Sequence, residues 1–452
     1  MEQTNRANFG SRLGIILATA GSAVGLGNVW RFPTMAGENG GAAFMLIYIG
    51  CVLVLGIPCM LNEFIIGRRA QANAARAYTM LSGGTPWRFI GYFGVFTGFL
   101  IASYYAVVAG WCLQYVYASI VGGLVGDPAY VEQYFKNFST NPLQPVLWVL
   151  VFFLITHFVI VRGVEKGIEK ASKLMMPLLF ILLVVIAVAA CLLPDASKGI
   201  RFLFSPDFSK VDSDVFLGAL GQSFYSLSLG MGCLCTYASY FSRDTHLTKS
   251  TVQIISIDTL IAILAGLMIF PAVFSVGGHV DAGASLVFIT LPNVFNQAFS
   301  GIPFLGQIIA LLFYLLLAVA ALTSLISLHE VCTAFIHEEM KVSRKKGASI
   351  VTVLCSVIGI FCSLSFCCPQ LSLFGMTLFD LFDFTTGQLF LPIGGFLTCL
   401  FMGWYVKRDV IYDEFTNRGT LRGRFFGIYL FCVRYVCPIC ILLIFLHQFG
   451  VI

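Results

Sequence analysis

The sequence predicts an all-α membrane protein with eleven transmembrane helices. Of its 452 residues, 58% are hydrophobic and only 11% are charged, and the mean hydropathy is +0.89. Soluble proteins carry about 25% charged residues, so most of this surface must face lipid. The apolar residues also collect into windows of about 20 residues, the length of a helix that crosses a bilayer. The eleven windows lie near residues 12–36, 42–66, 88–121, 145–162, 170–193, 214–241, 248–276, 304–338, 348–366, 375–405 and 424–449.

The distribution of Lys and Arg predicts the orientation in the membrane. The N-terminal end and every second loop hold 21 of these residues, whereas the opposite loops hold only four, Lys136, Lys198, Arg201 and Lys210. Basic loops stay in the cytoplasm, so the N-terminus is expected there and Ile452 outside. This asymmetry accounts for the net charge of +5, and no nucleic-acid partner is needed to explain it.

The first span is interrupted by residues that do not favour a continuous membrane helix. Gly21 to Pro33 contains three glycines, an asparagine and Arg31. Glycine weakens a helix through backbone entropy, and an arginine at mid-depth is costly unless it is paired or hydrated. Irregular backbone persists at this depth only where it is buried in protein or lines a wet cavity. The segment therefore predicts a broken helix that presents N–H and C=O groups to a polar ligand.

The sixth span carries a matching interruption, Ser226-Leu227-Ser228-Leu229-Gly230-Met231-Gly232. Small residues can also serve close helix packing in membranes. Interruptions at corresponding places in two halves, however, indicate a midplane binding site in an inverted-repeat transporter. The expected organisation is a cytoplasmic segment at 1–11, a five-helix repeat at 12–193, an extracellular loop at 194–213, an inverted repeat at 214–405, a cytoplasmic loop at 406–423 and an eleventh helix at 424–452.

Several polar side chains are predicted to lie within the membrane, where each needs a partner. Arg31 and Asp383 come from opposite halves and are expected to close over a central cavity. Glu63 is expected to hydrogen-bond to unwound backbone, and Asp380 to occupy a partly hydrated helix end. Most of the 15 cysteines lie in apolar spans, where a thiol behaves as a small hydrophobic group, so they are interpreted as packing residues.

The stretches Gly21 to Pro33, Glu38-Asn39-Gly40-Gly41 and Gly221 to Gly230 resemble those of neurotransmitter:sodium symporters, in particular bacterial amino-acid transporters of the family. The resemblance covers the first ten spans, and the common twelfth span is missing. It implies the LeuT-type fold, a five-plus-five inverted repeat with spans one and six unwound at the midplane. It also implies sodium-coupled symport across the plasma membrane rather than an enzymatic reaction.

The resemblance implies two sodium sites built from hard oxygen ligands. The first would use the Ala23 carbonyl, Asn28, Ser226, Asp258 and the carboxylate of the substrate. The second would use the carbonyls of Gly21, Val24 and Ala320 and the hydroxyls of Thr323 and Ser324. Chloride-dependent relatives carry a neutral Asn at the position of Asp258. Because Asp258 supplies a fixed negative charge and Ala262 offers no hydroxyl, chloride-independent transport is expected.

The resemblance also implies an amino-acid substrate, because Gly25 replaces the aspartate expected in carriers of monoamines. The substrate carboxylate would meet the amides of Leu26 and Gly27 and the Tyr105 hydroxyl, beside the half-helix dipole. Its ammonium would meet carbonyls near Ala23, Tyr225 and Ser226, with Ser228 as a further polar contact. The side-chain pocket would be formed by Ile101, Tyr105, Tyr225, Met231, Ser324 and Leu328, which suits a neutral hydrophobic or aromatic L-amino acid.

At the cytoplasmic end the resemblance implies a gate between Arg6 and Glu338, with Phe9 in place of the usual tryptophan. Gly167 and Pro177 reproduce a Gly-x9-Pro spacing that is associated with an unwinding segment, although a fixed proline kink explains it equally well. Two alternatives remain open. One is a transporter of a small osmolyte, and the other is a non-transporting sensor on the same fold.

Overall fold

A computed structural model describes residues 9–277, 286–302 and 304–448. Within these ranges the protein is helical, and nine helices are long and apolar enough to cross a membrane. The predicted fold class is confirmed. The nine helices are Ala42–Ala70, Pro86–Ile120, Gln144–Val161, Val164–Cys191, Leu247–Ser275, Leu305–Glu339, Arg344–Leu364, Leu378–Tyr405 and Phe426–Leu446.

The first and sixth predicted spans are the two that the structure breaks. The first consists of Arg12–Ala23 and Gly27–Glu38, which meet at an angle of 53°. The sixth consists of Ser213–Ser226 and Cys233–Ala238, and each of these helices alone is too short to span a bilayer. The eleven predicted windows thus correspond to nine continuous helices and two broken ones in the described part of the chain.

Short helices in the loops connect the spans. Five of them are Ala74–Ser82, Pro128–Ser139, Ala196–Phe204, Leu291–Ala298 and Arg408–Phe415. Asn73 caps the first by accepting a hydrogen bond from the Arg76 amide. The same helix docks onto the end of Leu305–Glu339, because Asn73 donates to Glu338 and Glu339 and Arg76 forms an ion pair with Glu339 at 3.0 Å.

The centre of the molecule is formed by Pro86–Ile120 and Leu305–Glu339, which pack along each other beside the two broken helices. Gln144–Val161 lies farther out, and much of its surface is exposed where lipid would contact it. In Val164–Cys191 the first six residues, Val164–Glu169, form a π-helical turn, and Pro177 lies within the helix that follows. Gly167 is therefore part of a wound turn in this conformation, and unwinding at this place stays a prediction.

Candidate functional site

The first helix is interrupted at Val24, Gly25 and Leu26, whose backbone lies between its two halves. Val24 is extended (φ −71°, ψ 110°), which ends the regular hydrogen bonding of Arg12–Ala23. A side chain at position 25 would approach the Tyr105 hydroxyl to 3.0 Å and would collide with the Ser324 hydroxyl. Glycine is thus the residue that lets the third and eighth spans close onto this backbone. The Leu26 amide donates to the Tyr105 hydroxyl at 3.2 Å.

The break in the sixth helix is held by a carboxylate from the second span. Ser228 and Gly230 adopt left-handed backbone conformations, with φ of 54° and 84°, and Gly230 does so without a steric penalty. The Glu63 carboxylate accepts hydrogen bonds from the Gly230 amide at 2.7 Å and the Cys235 amide at 3.2 Å. The prediction that Glu63 binds unwound backbone is confirmed.

Three of the residues predicted for the first sodium site lie in direct contact. The Asn28 amide nitrogen donates to Asp258 Oδ1 at 2.7 Å and to Ser226 Oγ at 3.0 Å. The Ser226 hydroxyl donates to Asp258 Oδ2 at 3.0 Å. All three residues are buried. The cluster therefore joins the first, sixth and seventh spans through one carboxylate.

Tyr48 completes this cluster, and sequence reasoning missed it. Its hydroxyl contacts Ser226 Oγ at 3.1 Å and Asp258 Oδ2 at 3.3 Å. Among the described residues, the groups that hydrogen-bond to the Asp258 carboxylate are the Asn28 amide and the Ser226 and Tyr48 hydroxyls, all of them neutral. A buried carboxylate with only neutral partners keeps much of its desolvation cost, so this oxygen-rich cluster fits a hard cation.

The residues predicted for the second sodium site also converge. The Thr323 and Ser324 hydroxyls both donate to the Val24 carbonyl at 3.3 Å. Thr323 also donates to the Ala320 carbonyl at 2.8 Å, which is ordinary back-bonding within a helix. Gly21 lies against Thr323, because a Cβ placed there would stand 3.3 Å from the Thr323 Cβ. The Val24 carbonyl of the first span and the two hydroxyls of the eighth span thus meet at one place, next to the Ala320 carbonyl.

Between the two breaks lies a cavity of about 40 Å³. None of the residues that line it is charged. Nine of the predicted substrate residues line it, together with Ser22, Gly25, Ser327 and Leu391. The nine are Ala23, Gly27, Ile101, Tyr105, Tyr225, Ser228, Met231, Ser324 and Leu328. The two remaining predicted substrate residues are Ser226 and Leu26. Ser226 hydrogen-bonds to Asp258, and Leu26 lines a second, larger cavity next to this one.

A second cavity of about 270 Å³ lies beyond Tyr225, which lines both. The Arg31 guanidinium stands 4.2 Å from the centroid of the Tyr225 ring, and the Tyr225 hydroxyl interacts with Arg31 and Tyr104. Asp383 lines the same cavity and accepts a hydrogen bond from Tyr104 at 3.0 Å. Arg31 and Asp383 thus face one space, but within the described chain they do not form an ion pair.

At the predicted cytoplasmic end, Phe9 packs edge-on against Tyr237 and Tyr240, with ring centroids 6.0 and 6.1 Å apart. Arg6 lies outside the described residues, so the Arg6–Glu338 gate stays a prediction. Glu338 accepts a hydrogen bond from the Asn73 amide at 2.9 Å. Asp380 is exposed and pairs with Thr377 at the start of a helix, where a partly hydrated position was expected.

Sequence reasoning also missed a contact that fixes the start of the first helix. The Glu169 carboxylate accepts hydrogen bonds from the Gly10 amide at 2.6 Å and the Ser11 hydroxyl at 2.7 Å. It also forms an ion pair with Lys173 at 2.7 Å. Gly10 and Ser11, which precede the first span, are thereby attached to the π-helical turn Val164–Glu169 at the start of the fifth span.

In the described part of the chain, nine membrane-length helices surround two broken helices and the cavity between them, which is the architecture of a multi-pass membrane protein with a central site. The chain matches the sodium:neurotransmitter symporter family over residues 6–127 and 131–451. It belongs to this family and is therefore a sodium-dependent transporter rather than an enzyme.

Similar proteins agree with this assignment. The chain is 37% identical over 455 residues to an uncharacterized sodium-dependent transporter, YhdH, of Bacillus subtilis, with both chains covered completely. It is 34% identical over 461 residues to a sodium-dependent transporter of Haemophilus influenzae, with 98% of each chain covered. Among solved structures it resembles MhsT in complex with L-phenylalanine, at 43% identity and a TM-score of 0.88, over 98% of this chain and 99% of that one.

Proposed function

We propose that the protein imports a neutral, hydrophobic or aromatic L-amino acid together with sodium, and that transport does not need chloride. The observation that carries the proposal is the uncharged cavity between the two helix breaks. A zwitterion fits such a cavity because its carboxylate can face amides and a cation, while its ammonium faces free carbonyls. The structural relative bound to L-phenylalanine supports an amino acid as the substrate.

Two sodium ions are proposed, one at each oxygen cluster. At the first, sodium would replace hydrogen-bond donors around Asp258 and would offset the buried negative charge. At the second, the carbonyls of Val24 and Ala320 and the two hydroxyls offer uncharged oxygens of the type that alkali cations accept. Both clusters include the broken first helix, so cation binding would stabilise the conformation that holds the substrate.

Chloride independence rests on Asp258. The carboxylate already supplies the negative charge beside the first sodium site, so an added anion would meet repulsion in a buried environment. Ala262 lies one turn farther along the same helix and is buried. It offers no hydroxyl to an anion, whereas a serine there would.

The size of the cavity keeps one alternative open. A volume of about 40 Å³ is small beside the roughly 300–1,000 Å³ of typical ligand pockets. A glycine-like substrate or a small osmolyte needs less rearrangement than phenylalanine. A large side chain requires Met231 to change rotamer, which its flexible thioether allows.

Competition binding separates these substrates. Purified protein would be incubated with each common amino acid and a betaine, with and without sodium, against a labelled ligand. We expect neutral hydrophobic amino acids to compete best, and only in sodium. Preferential competition by betaine would favour the osmolyte transporter, and competition that is independent of sodium would contradict both proposals.

The same proposal places the protein in the plasma membrane with its N-terminus in the cytoplasm. A cysteine introduced at Asn5 tests this orientation: a thiol reagent that does not cross the membrane should fail to label that cysteine in intact cells.

A further inference from the structure

Three cysteines from three different helices bring their sulfur atoms together outside the central site. Cys59 lies in the second span, Cys399 in the tenth and Cys437 in the eleventh. The three sulfurs all lie within 4.8 Å of one another, and those of Cys59 and Cys399 are 3.6 Å apart. All three side chains are buried. This arrangement is called the thiol cluster below.

The spacing of the thiol cluster suits one ion with three sulfur ligands. Three sulfurs that each lie about 2.3 Å from a common ion in one plane stand about 4.0 Å apart. The Cys59–Cys399 sulfur separation is 3.6 Å, and no pair of the three sulfurs is farther apart than 4.8 Å, so small shifts bring all three to this spacing. Sulfur ligands without nitrogen or oxygen select soft ions. Structural zinc takes four ligands, so a three-sulfur set favours Cu(I).

A polar group directed at the cluster distinguishes it from simple packing. The Asn62 side chain donates to the Cys399 sulfur at 3.7 Å. The Tyr429 hydroxyl donates to the Asn62 oxygen at 2.6 Å, which fixes the orientation of the amide. Donors of this kind stabilise a thiolate and orient metal ligands. A cysteine that only fills volume needs no such donor.

Metal binding by the thiol cluster is coupled to the release of protons, because the thiolate rather than the thiol is the metal ligand. Each sulfur that bonds to Cu(I) gives up its proton to solvent as the sulfur–copper bond forms. No electron is transferred in this step. The Asn62 amide, which donates to the Cys399 sulfur, offsets part of the negative charge that the thiolates carry.

We propose that Cys59, Cys399 and Cys437 form a soft-metal site that binds one Cu(I). The bound ion would connect the second, tenth and eleventh helices. It would lie one helical turn from Glu63, whose carboxylate holds the break in the sixth helix. The inference does not depend on which substrate the protein carries.

The test uses full-length protein in detergent, reduced and free of oxygen. Cys367 and Cys368 are adjacent and partly exposed, with sulfurs 3.6 Å apart, so both are first changed to serine to remove a competing thiol pair. Cu(I) is then titrated from a chromogenic chelator. We expect one equivalent to transfer to the protein, with a near-ultraviolet sulfur-to-copper band. Cys399→Ser should weaken binding at least about tenfold, and the matched control Cys362→Ser, another buried thiol, should leave it unchanged.

Retention of all copper by the chelator would overturn the proposal, as would undiminished binding by Cys399→Ser. Gel filtration identifies any variant that fails to fold. In that case X-ray absorption of the copper-loaded background protein decides, because it needs no change in the cluster. A single shell of three sulfurs supports the site, and a nitrogen or oxygen shell contradicts it.

Discussion

Replacing Asp258 with asparagine removes one negative charge from the first proposed sodium site and changes little else. The new side chain has almost the same shape and can still contact Asn28, Ser226 and Tyr48. The substitution therefore tests the charge itself rather than the packing of the seventh span.

The expected magnitude follows from the burial of this carboxylate, which is 0% exposed. Two unit charges about 4 Å apart attract each other by about 4 kcal/mol at an effective dielectric constant of 20. Removing the charge also removes the cost of burying it without a cationic partner, so the net loss is smaller. We expect about 2 kcal/mol, or about a 30-fold weaker affinity for sodium.

The assay is ligand binding to purified protein as a function of sodium, with lithium or choline keeping the ionic strength constant. Asp380→Asn is the matched control, because it makes the same chemical change at an exposed helix start. A second readout is thermal unfolding, since sodium should raise the Tm of the wild type more than that of the variant. A folded Asp258→Asn protein whose sodium dependence stays within about threefold of the wild type would refute the reasoning.

Three further variants test the cavity and its two ends. Met231→Phe should abolish binding of large amino acids and spare glycine-like ones, because Met231 lines the 40 Å³ cavity; equal loss for both sizes in competition binding would contradict the assigned pocket. Tyr225→Phe keeps the ring under Arg31 but loses the hydroxyl interactions with Arg31 and Tyr104. We expect substrate to dissociate about three- to tenfold faster, as for the net loss of one ordinary hydrogen bond of about 1 kcal/mol, and an unchanged rate in a filter-binding chase would show that the hydroxyl is not part of the barrier. Glu169→Gln weakens the attachment of Gly10 and Ser11 and should speed amide exchange in residues 10–14; exchange as slow as in the wild type would contradict the attachment.

The helix interruptions could be predicted because their cause is local. Glycines, serines and an arginine within an apolar span destabilise a membrane helix wherever it packs. In the structure, Gly25 and Gly230 lie at the two breaks. Gly25 leaves room for the neighbouring spans, and Gly230 adopts a left-handed backbone conformation. The residues of the two oxygen clusters were identified only through the family resemblance, since nothing in the local sequence brings Asn28 near Asp258.

The contacts that were missed join residues distant in the chain. Tyr48 looks like any buried aromatic residue until the fold places its hydroxyl 3.3 Å from Asp258. Glu169 sits among lysines, and its bonds to Gly10 and Ser11 span more than 150 residues. The thiol cluster was likewise hidden among cysteines interpreted as packing, because each of its members lies in a separate apolar span. Hydropathy does not reveal which buried polar or sulfur atoms will meet.

The central claim is that sodium, without chloride, drives accumulation of a neutral amino acid. It is tested most directly by uptake of labelled L-phenylalanine and L-alanine into proteoliposomes under an inward sodium gradient, with chloride replaced by gluconate. The proposal predicts accumulation above equilibrium that disappears when sodium is equal on both sides and does not change when chloride is removed. Binding without accumulation, or uptake that rises with chloride at constant sodium, would contradict it.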